Sequence, residues 1–237
     1  PATGKTEWLF EILINLSCIH GWKHVVYSPE TGSAHEIYAE LCHKYIGKPY
    51  VKGKTFMDET ERTKAEYFIN DHFVVIDPHS SDENQKLDFT IDMFFKTIID
   101  IETHLGIKFD TTTIDPWNEL TEEYQQNDLG REDKYLSRIL GEVRVNARVN
   151  KRHNFVLNHV RDQQIVTKDN ISFYPMPTAR DFAGGQVWFR KGLLMIIMWR
   201  PPYGLLNEDG IPYEKNEVHI KIAKSKQIFG YIWVLFS

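Results

Sequence analysis

The chain opens on Pro1-Ala2-Thr3-Gly4-Lys5-Thr6 and passes directly into a helix-forming stretch. Gly-Lys-Thr at the start of a helix is the second half of the phosphate loop G-x-x-x-x-G-K-[ST]. There, consecutive backbone N–H groups cradle phosphate, the lysine ammonium reaches the terminal phosphates and the hydroxyl ligates Mg²⁺. Gly4, Lys5 and Thr6 are therefore candidate phosphate-binding residues, and Thr6 a candidate metal ligand. Alone, the tripeptide equally describes a surface lysine followed by a helix cap. A second element weighs against that: the strand-like run Thr111 to Asp115 (TTTID) closes on a carboxylate that could hold a magnesium-bound water opposite the phosphate loop. Read blandly, Asp115 ahead of Pro116 is a strand terminator. Ser28-Pro29-Glu30 ends another strand-like run, where Glu30 could orient and deprotonate an attacking water or, as a helix-start acid, simply complement the helix dipole. Asn158-His159 ends a further run, at a place from which His159 could sense a γ-phosphate.

Placing these groups together requires strands that end at one edge of a sheet. His24 to Ser28, Phe73 to Asp77, Thr111 to Asp115 and Asn154 to Asn158 are short and rich in β-branched or aromatic residues, as buried parallel strands are. Helix-length segments lie between them: Glu7 to Ser17, Ala34 to Ile46, Phe89 to His104 and Glu132 to Val149. In the last, Tyr135, Leu136, Ile139, Leu140, Val143 and Ala147 share one face, while Arg138, Arg144, Arg148, Lys151 and Arg152 fall mainly off it and read as a solvated face. Alternating strands and helices predict βαβ units in a mostly parallel sheet. Leu193 to Trp199, Val218 to Ala223 and Tyr231 to Phe236 predict antiparallel strands added at the C-terminal edge. Asn118 to Arg131 and Arg161 to Arg180 are polar connections too long for simple turns, a length at which loops are often functional.

Composition narrows the class. Hydrophobic residues at 42% and charged residues at 26% are globular values, which sets aside disorder and fibrous repeats. No apolar run approaches the ~18 residues of a bilayer span. Cys18 and Cys42 have neither disulfide-framework nor zinc-ligand spacing, and the ten histidines form no ligand pattern, so a reducing compartment and no zinc are expected. The net charge of −5 disfavours a surface coated for duplex DNA but leaves room for a few cationic loops. Residues 1–237 are expected to form one domain, and the opening on Pro1 is read as a trimmed N-terminus.

Taken in order, PATGKT, Ser28-Pro29-Glu30, Ile114-Asp115-Pro116-Trp117-Asn118-Glu119 and Val156-Leu157-Asn158-His159 resemble the motifs of DnaB-like hexameric helicases, with likeness to the Twinkle and phage helicase-primase branch. Gly184-Gly185-Gln186 is similar to that family's glutamine motif, and Lys224-Ser225-Lys226 to its K-x-R segment. The resemblance covers essentially the whole chain. It implies a RecA-like P-loop ATPase core that uses ATP and Mg²⁺, assembles as a homo-oligomeric, hexameric ring, translocates on single-stranded DNA in replication, and admits a primase domain or partner. It implies Lys5 and Thr6 at phosphate and magnesium, Asp115 at the metal, Glu30 as general base, His159 and Gln186 as coupling residues, and Arg200 near the nucleotide base. Lys224 and Lys226 would face a neighbour's ATP, although Lys226 stands where relatives carry an arginine finger and lacks its bidentate fork; Arg190 is an alternative. Arg161, Lys168 and Asn170 are the DNA-contact candidates, equally readable as solvating a loop. The cytoplasm of a bacterial or phage-infected cell, or a mitochondrial matrix, fits such a protein. A RecA- or KaiC-like ATPase without unwinding activity is the alternative reading.

Overall fold

A computed structural model describes residues 4–51, 55–77, 89–159, 164–168, 170–182, 184–207, 209–226 and 231–236, the last stretch as backbone only. The chain divides into two compact units: Thr6–Glu123 with Asn150–Val156, and Tyr124–Val149 with Leu157–Ser237 and the first residues through Lys5.

The first unit is built on α1 (Lys5–His20), β1 (His24–Tyr27), α2 (Ala34–Ile46), α3 (Glu59–His72), β2 (Phe73–Val75), α4 (Ile91–Leu105), β3 (Thr111–Ile114) and the first residues of β4 (His153–Asn158). β1 pairs in parallel with β2 on one side and β3 on the other, and β3 pairs in parallel with β4. Every residue of β1 and β3 is buried, which explains why these strands read as continuous rather than alternating patterns. The registers Tyr27↔Ile114 and Ile114↔Val156 bring the carboxyl ends of β1 and β3 level beside Val156, so the residues that follow β1 and β3 emerge at one edge. The helices are capped by their own sequences. Asp58 accepts from the Glu61 N–H at 2.8 Å while the Glu61 carboxylate accepts from the Asp58 N–H at 3.1 Å, a reciprocal box that starts α3. That helix was not anticipated, because only Ala65 and Ile69 of its residues are buried and its apolar period is thin.

In the second unit, α5 (Glu132–Asn150) buries the six residues its periodicity predicts. A hairpin of β5 (Val166–Lys168) and β6 (Ile171–Phe173) occupies part of the long polar connection, followed by α6 (Gly185–Lys191), β7 (Leu194–Trp199), β8 (His219–Ser225) and β9 (Tyr231–Phe236). β8 is antiparallel to β7, as expected, but β9 runs parallel to β7 instead of antiparallel. The molecule thus has the α/β architecture of a RecA-like core, with parallel strands flanked by helices and an antiparallel addition towards the C-terminus. None of the described helices is long and apolar enough to cross a membrane.

One charged residue of the expected solvated face is not solvated. Arg152 is 1% exposed and pairs with Glu102, itself 3% exposed, at 2.9 Å. On α4, Glu102 continues the buried series Ile91, Phe94, Ile98, and its carboxylate also accepts from the Phe109 N–H and from Lys108. Burial alone would raise its pKa, but those donors and the Arg152 charge outweigh it and hold the carboxyl below its ordinary value. Arg138 is likewise engaged, with Asp128 at 2.8 Å.

Candidate nucleotide site

The candidate residues form two groupings, one in each unit. In the first, the Thr6 hydroxyl, in the first turn of α1, donates to Asp115 Oδ2 at 2.5 Å. Ser28, at the end of β1, donates to the same oxygen at 3.1 Å. Asp115 is 1% exposed, and its N–H is tied to the Tyr27 carbonyl at 2.9 Å, so the ladder between β1 and β3 fixes the carboxylate at the sheet edge. A buried carboxylate and a threonine hydroxyl facing each other are hard oxygen donors, the kind that Mg²⁺ takes while retaining several waters. The residues present fit such an ion.

Glu30 is exposed on the turn that leaves β1, which is closed by the Thr31 N–H on the Ser28 carbonyl at 3.1 Å. The Ser28 hydroxyl reaches both Thr31, at 2.7 Å, and Asp115, so Glu30 projects from a turn anchored to the Asp115 position. Nearby, burial together with the Glu119 and Asp77 charges pushes the Tyr27 phenol up to about 12. In the sequence Ser28 stands out only as part of Ser28-Pro29-Glu30. Its second hydrogen bond could not be read from spacing, since it depends on strand register.

In the second grouping, Lys5 is 6% exposed and its Nζ donates to the Asn158 carbonyl at 3.2 Å, with His159 Nδ1 at 3.3 Å. An ammonium has no lone pair to offer, so a charged Lys5 makes Nδ1 the acceptor and leaves the ring proton on Nε2. The His159 N–H is held by Asn158 Oδ1 at 2.8 Å. Lys5 and His159, separated by more than 150 residues of sequence, are thus in direct contact, and the end of β4 supplies the carbonyl that steadies the lysine. Gly4 precedes them with φ 85°, a conformation that L side chains rarely adopt.

The chain has a counterpart among known proteins. It is similar to a Twinkle homolog. The Arabidopsis thaliana protein described as Twinkle homolog protein, chloroplastic/mitochondrial, is 25% identical over 169 residues, covering 69% of this chain and 22% of that protein. The chain therefore spans about a fifth of the length of this curated relative. No family model matches the chain.

The remaining candidates lie in the second unit. Gln186 is exposed on α6 and lines an open groove of about 560 Å³ with Arg180, Phe189, Arg190 and Lys221. Lys226 is exposed, and its N–H donates to the Leu193 carbonyl at 2.9 Å. Lys224 turns its ammonium back onto the carbonyls of Phe189 and Arg190, the latter at 3.3 Å. Arg200 is exposed just past β7. Lys168 and Asn170 are exposed at the tip of the β5–β6 hairpin, where Asn170 takes φ 64°. Arg161 lies outside the described residues.

Proposed function

We propose that this chain is the ATP-hydrolysing motor of a ring-forming helicase that moves along single-stranded DNA. The observation that carries the reading is the 2.5 Å contact between Thr6 and Asp115, more than a hundred residues apart in sequence. It is the meeting of a phosphate-loop hydroxyl with a strand-end carboxylate, which metal-assisted phosphoryl transfer requires. The Twinkle likeness supports the same reading at the level of helicase-like ATPases.

In this mechanism Gly4 and the start of α1 receive the phosphates, and Lys5 leaves the Asn158 carbonyl to meet their terminal oxygens. Thr6 and Asp115 would hold Mg²⁺, which neutralises charge developing on the transferred phosphoryl group. Glu30, on its exposed turn, takes a proton from the attacking water. His159, in contact with Lys5, responds through it to the phosphates and so passes their state to the chain that follows it. Gln186 reads the same state from α6, Arg200 flanks the base, and Lys226 is offered to a neighbouring subunit. Arg161, Lys168 and Asn170 contact the DNA backbone, an arrangement whose affinity falls steeply with salt.

The test is ATP hydrolysis by Lys5→Ala, with and without single-stranded DNA. The expected result is hydrolysis reduced to background with an unchanged far-UV circular dichroism spectrum. Undiminished hydrolysis in that variant overturns the assignment. DNA-stimulated hydrolysis without strand displacement by the wild-type chain would favour a RecA- or KaiC-like ATPase.

A further inference from the structure

Lys224, on β8, and Lys226, just past its end, are two residues apart, yet they are used differently, and a break in strand regularity is the reason. Along β7 and β8 the pairing runs Ile197↔Lys221 and Ile196↔Ile222, then jumps to Met195↔Lys224, so Ala223 is an extra residue bulged out of the ladder. Residues opposite one another share a face, and Met195 and Ile197 share theirs. The bulge therefore turns Lys224 to the same side as Lys221, whereas regular alternation would have left it with Ile222 and Ile220. That side carries α6: Lys221 lines the groove with Gln186, Phe189 and Arg190.

Once there, Lys224 meets the C-terminal end of α6. Its ammonium donates to the carbonyls of Phe189 and Arg190 and lies 5.1 Å from the centre of the Phe189 ring. Carbonyls of a last helical turn have no partner within the helix and carry its negative dipole end, so a cation there satisfies hydrogen bonds and charge together. Lys226 is meanwhile tied through its N–H to Leu193, two residues beyond the end of α6. Both ends of the Lys224–Lys226 segment are thereby fastened to the chain between Phe189 and Leu193.

We propose that Lys224 is a positioning residue acting within its own subunit, a strut that fixes α6 against β8 and so sets where Gln186 and Lys226 stand. Partial burial, and after it the charges of Lys226 and Arg144, lower its pKa. The consequence for hydrolysis rests on the function proposed above, while the strut itself does not.

Amide hydrogen exchange and steady-state hydrolysis on the full chain, as wild type, Lys224→Met and Lys224→Arg, test it. Without nucleotide, Lys224→Met is expected to lower protection of the amides of residues 188–192 by roughly fivefold, the scale of a cation at a helix C-terminus, and Lys224→Arg to restore it. In the same variant kcat should fall with KM for ATP unchanged, and adding Gln186→Ala should cost little more. Unchanged protection in Lys224→Met overturns the strut, and a fall in hydrolysis alongside it assigns Lys224 to the neighbour's phosphates instead. A wild-type chain without ATPase activity overturns the proposed function and leaves the exchange result to decide on the strut.

Discussion

Glu102 occupies a position on α4 that its neighbours four, eight and eleven residues back fill with buried apolar side chains, and it survives there because Arg152, just past the end of α5, meets it. Nothing in the spacing of either residue signals this, so Arg152 read as one more charge on a wet helix face. A buried histidine raises the same issue. His24 is fully buried, with Nε2 2.9 Å from the Ser17 hydroxyl and Nδ1 2.7 Å from the Thr111 hydroxyl. Because Ser17 donates its own proton to the Trp22 carbonyl, it accepts from Nε2–H, and the ring is satisfied while neutral. Burial pushes His24 down to about 3, with His72 adding to the shift, and burial pushes His153 down to about 4. Both folded values lie below the ordinary 6.5, so the unfolded chain binds more protons between them. Stability is then complete above about pH 6.5 and is lost progressively as pH falls towards 4 and then 3. Urea midpoints measured from pH 7.5 to 4 should fall accordingly, with a shallower slope in His24→Gln, and a flat profile in the wild type would contradict the buried neutral state.

At the scale of elements, the sequence announced what repeats and hid what depends on geometry. The buried face of α5 and the strands ending on Ser28, Asp115 and Asn158 were legible because periodicity and strand-end polarity are local properties. α3 is missing from the sequence reading because its apolar period is too thin to register, although the capping pair Asp58 and Glu61 is a local signal at its start. The parallel course of β9 and the bulge at Ala223 were not legible, being decided by partners distant in sequence. α6 shows how such an element is seated. Gly184 has φ 64°, and a Cβ on Gly185 would lie 1.9 Å from the Ala179 carbonyl oxygen, a backbone atom that cannot swing aside. That closeness holds the start of α6 against the turn bearing Arg180, where Asp181 accepts from the Thr178 N–H. Gly185→Ala is therefore expected to displace α6 and lower stability by about 1–3 kcal/mol, the usual cost of forced overpacking. Thermal unfolding of the variant checks the cost. Exchange protection across residues 185–192 checks where it falls, and an unshifted melting curve would mean that the helix start yields without strain.

For the whole molecule, net charge and composition excluded classes but identified nothing, and the ordered motifs did the rest. Four short segments scattered over more than 150 residues resolve into two groupings, Thr6 with Asp115 and Ser28, and Lys5 with Asn158 and His159. Lys5 and Thr6 are consecutive, so one peptide bond joins the groupings. Lys226 has no part in either grouping. Its N–H is held by the Leu193 carbonyl and its side chain is exposed. On the proposed function, a lysine supplies a point charge without the fork of an arginine, so its contribution to a neighbour's phosphoryl transfer should be smaller. Lys226→Ala subunits titrated into wild-type chain should accordingly depress hydrolysis more than in proportion to their fraction, because each defective subunit disables a neighbour's site. A linear decline would place the effect of Lys226 in its own subunit, and Lys226→Arg, restoring the fork, should raise kcat above wild type if the residue meets phosphate at all.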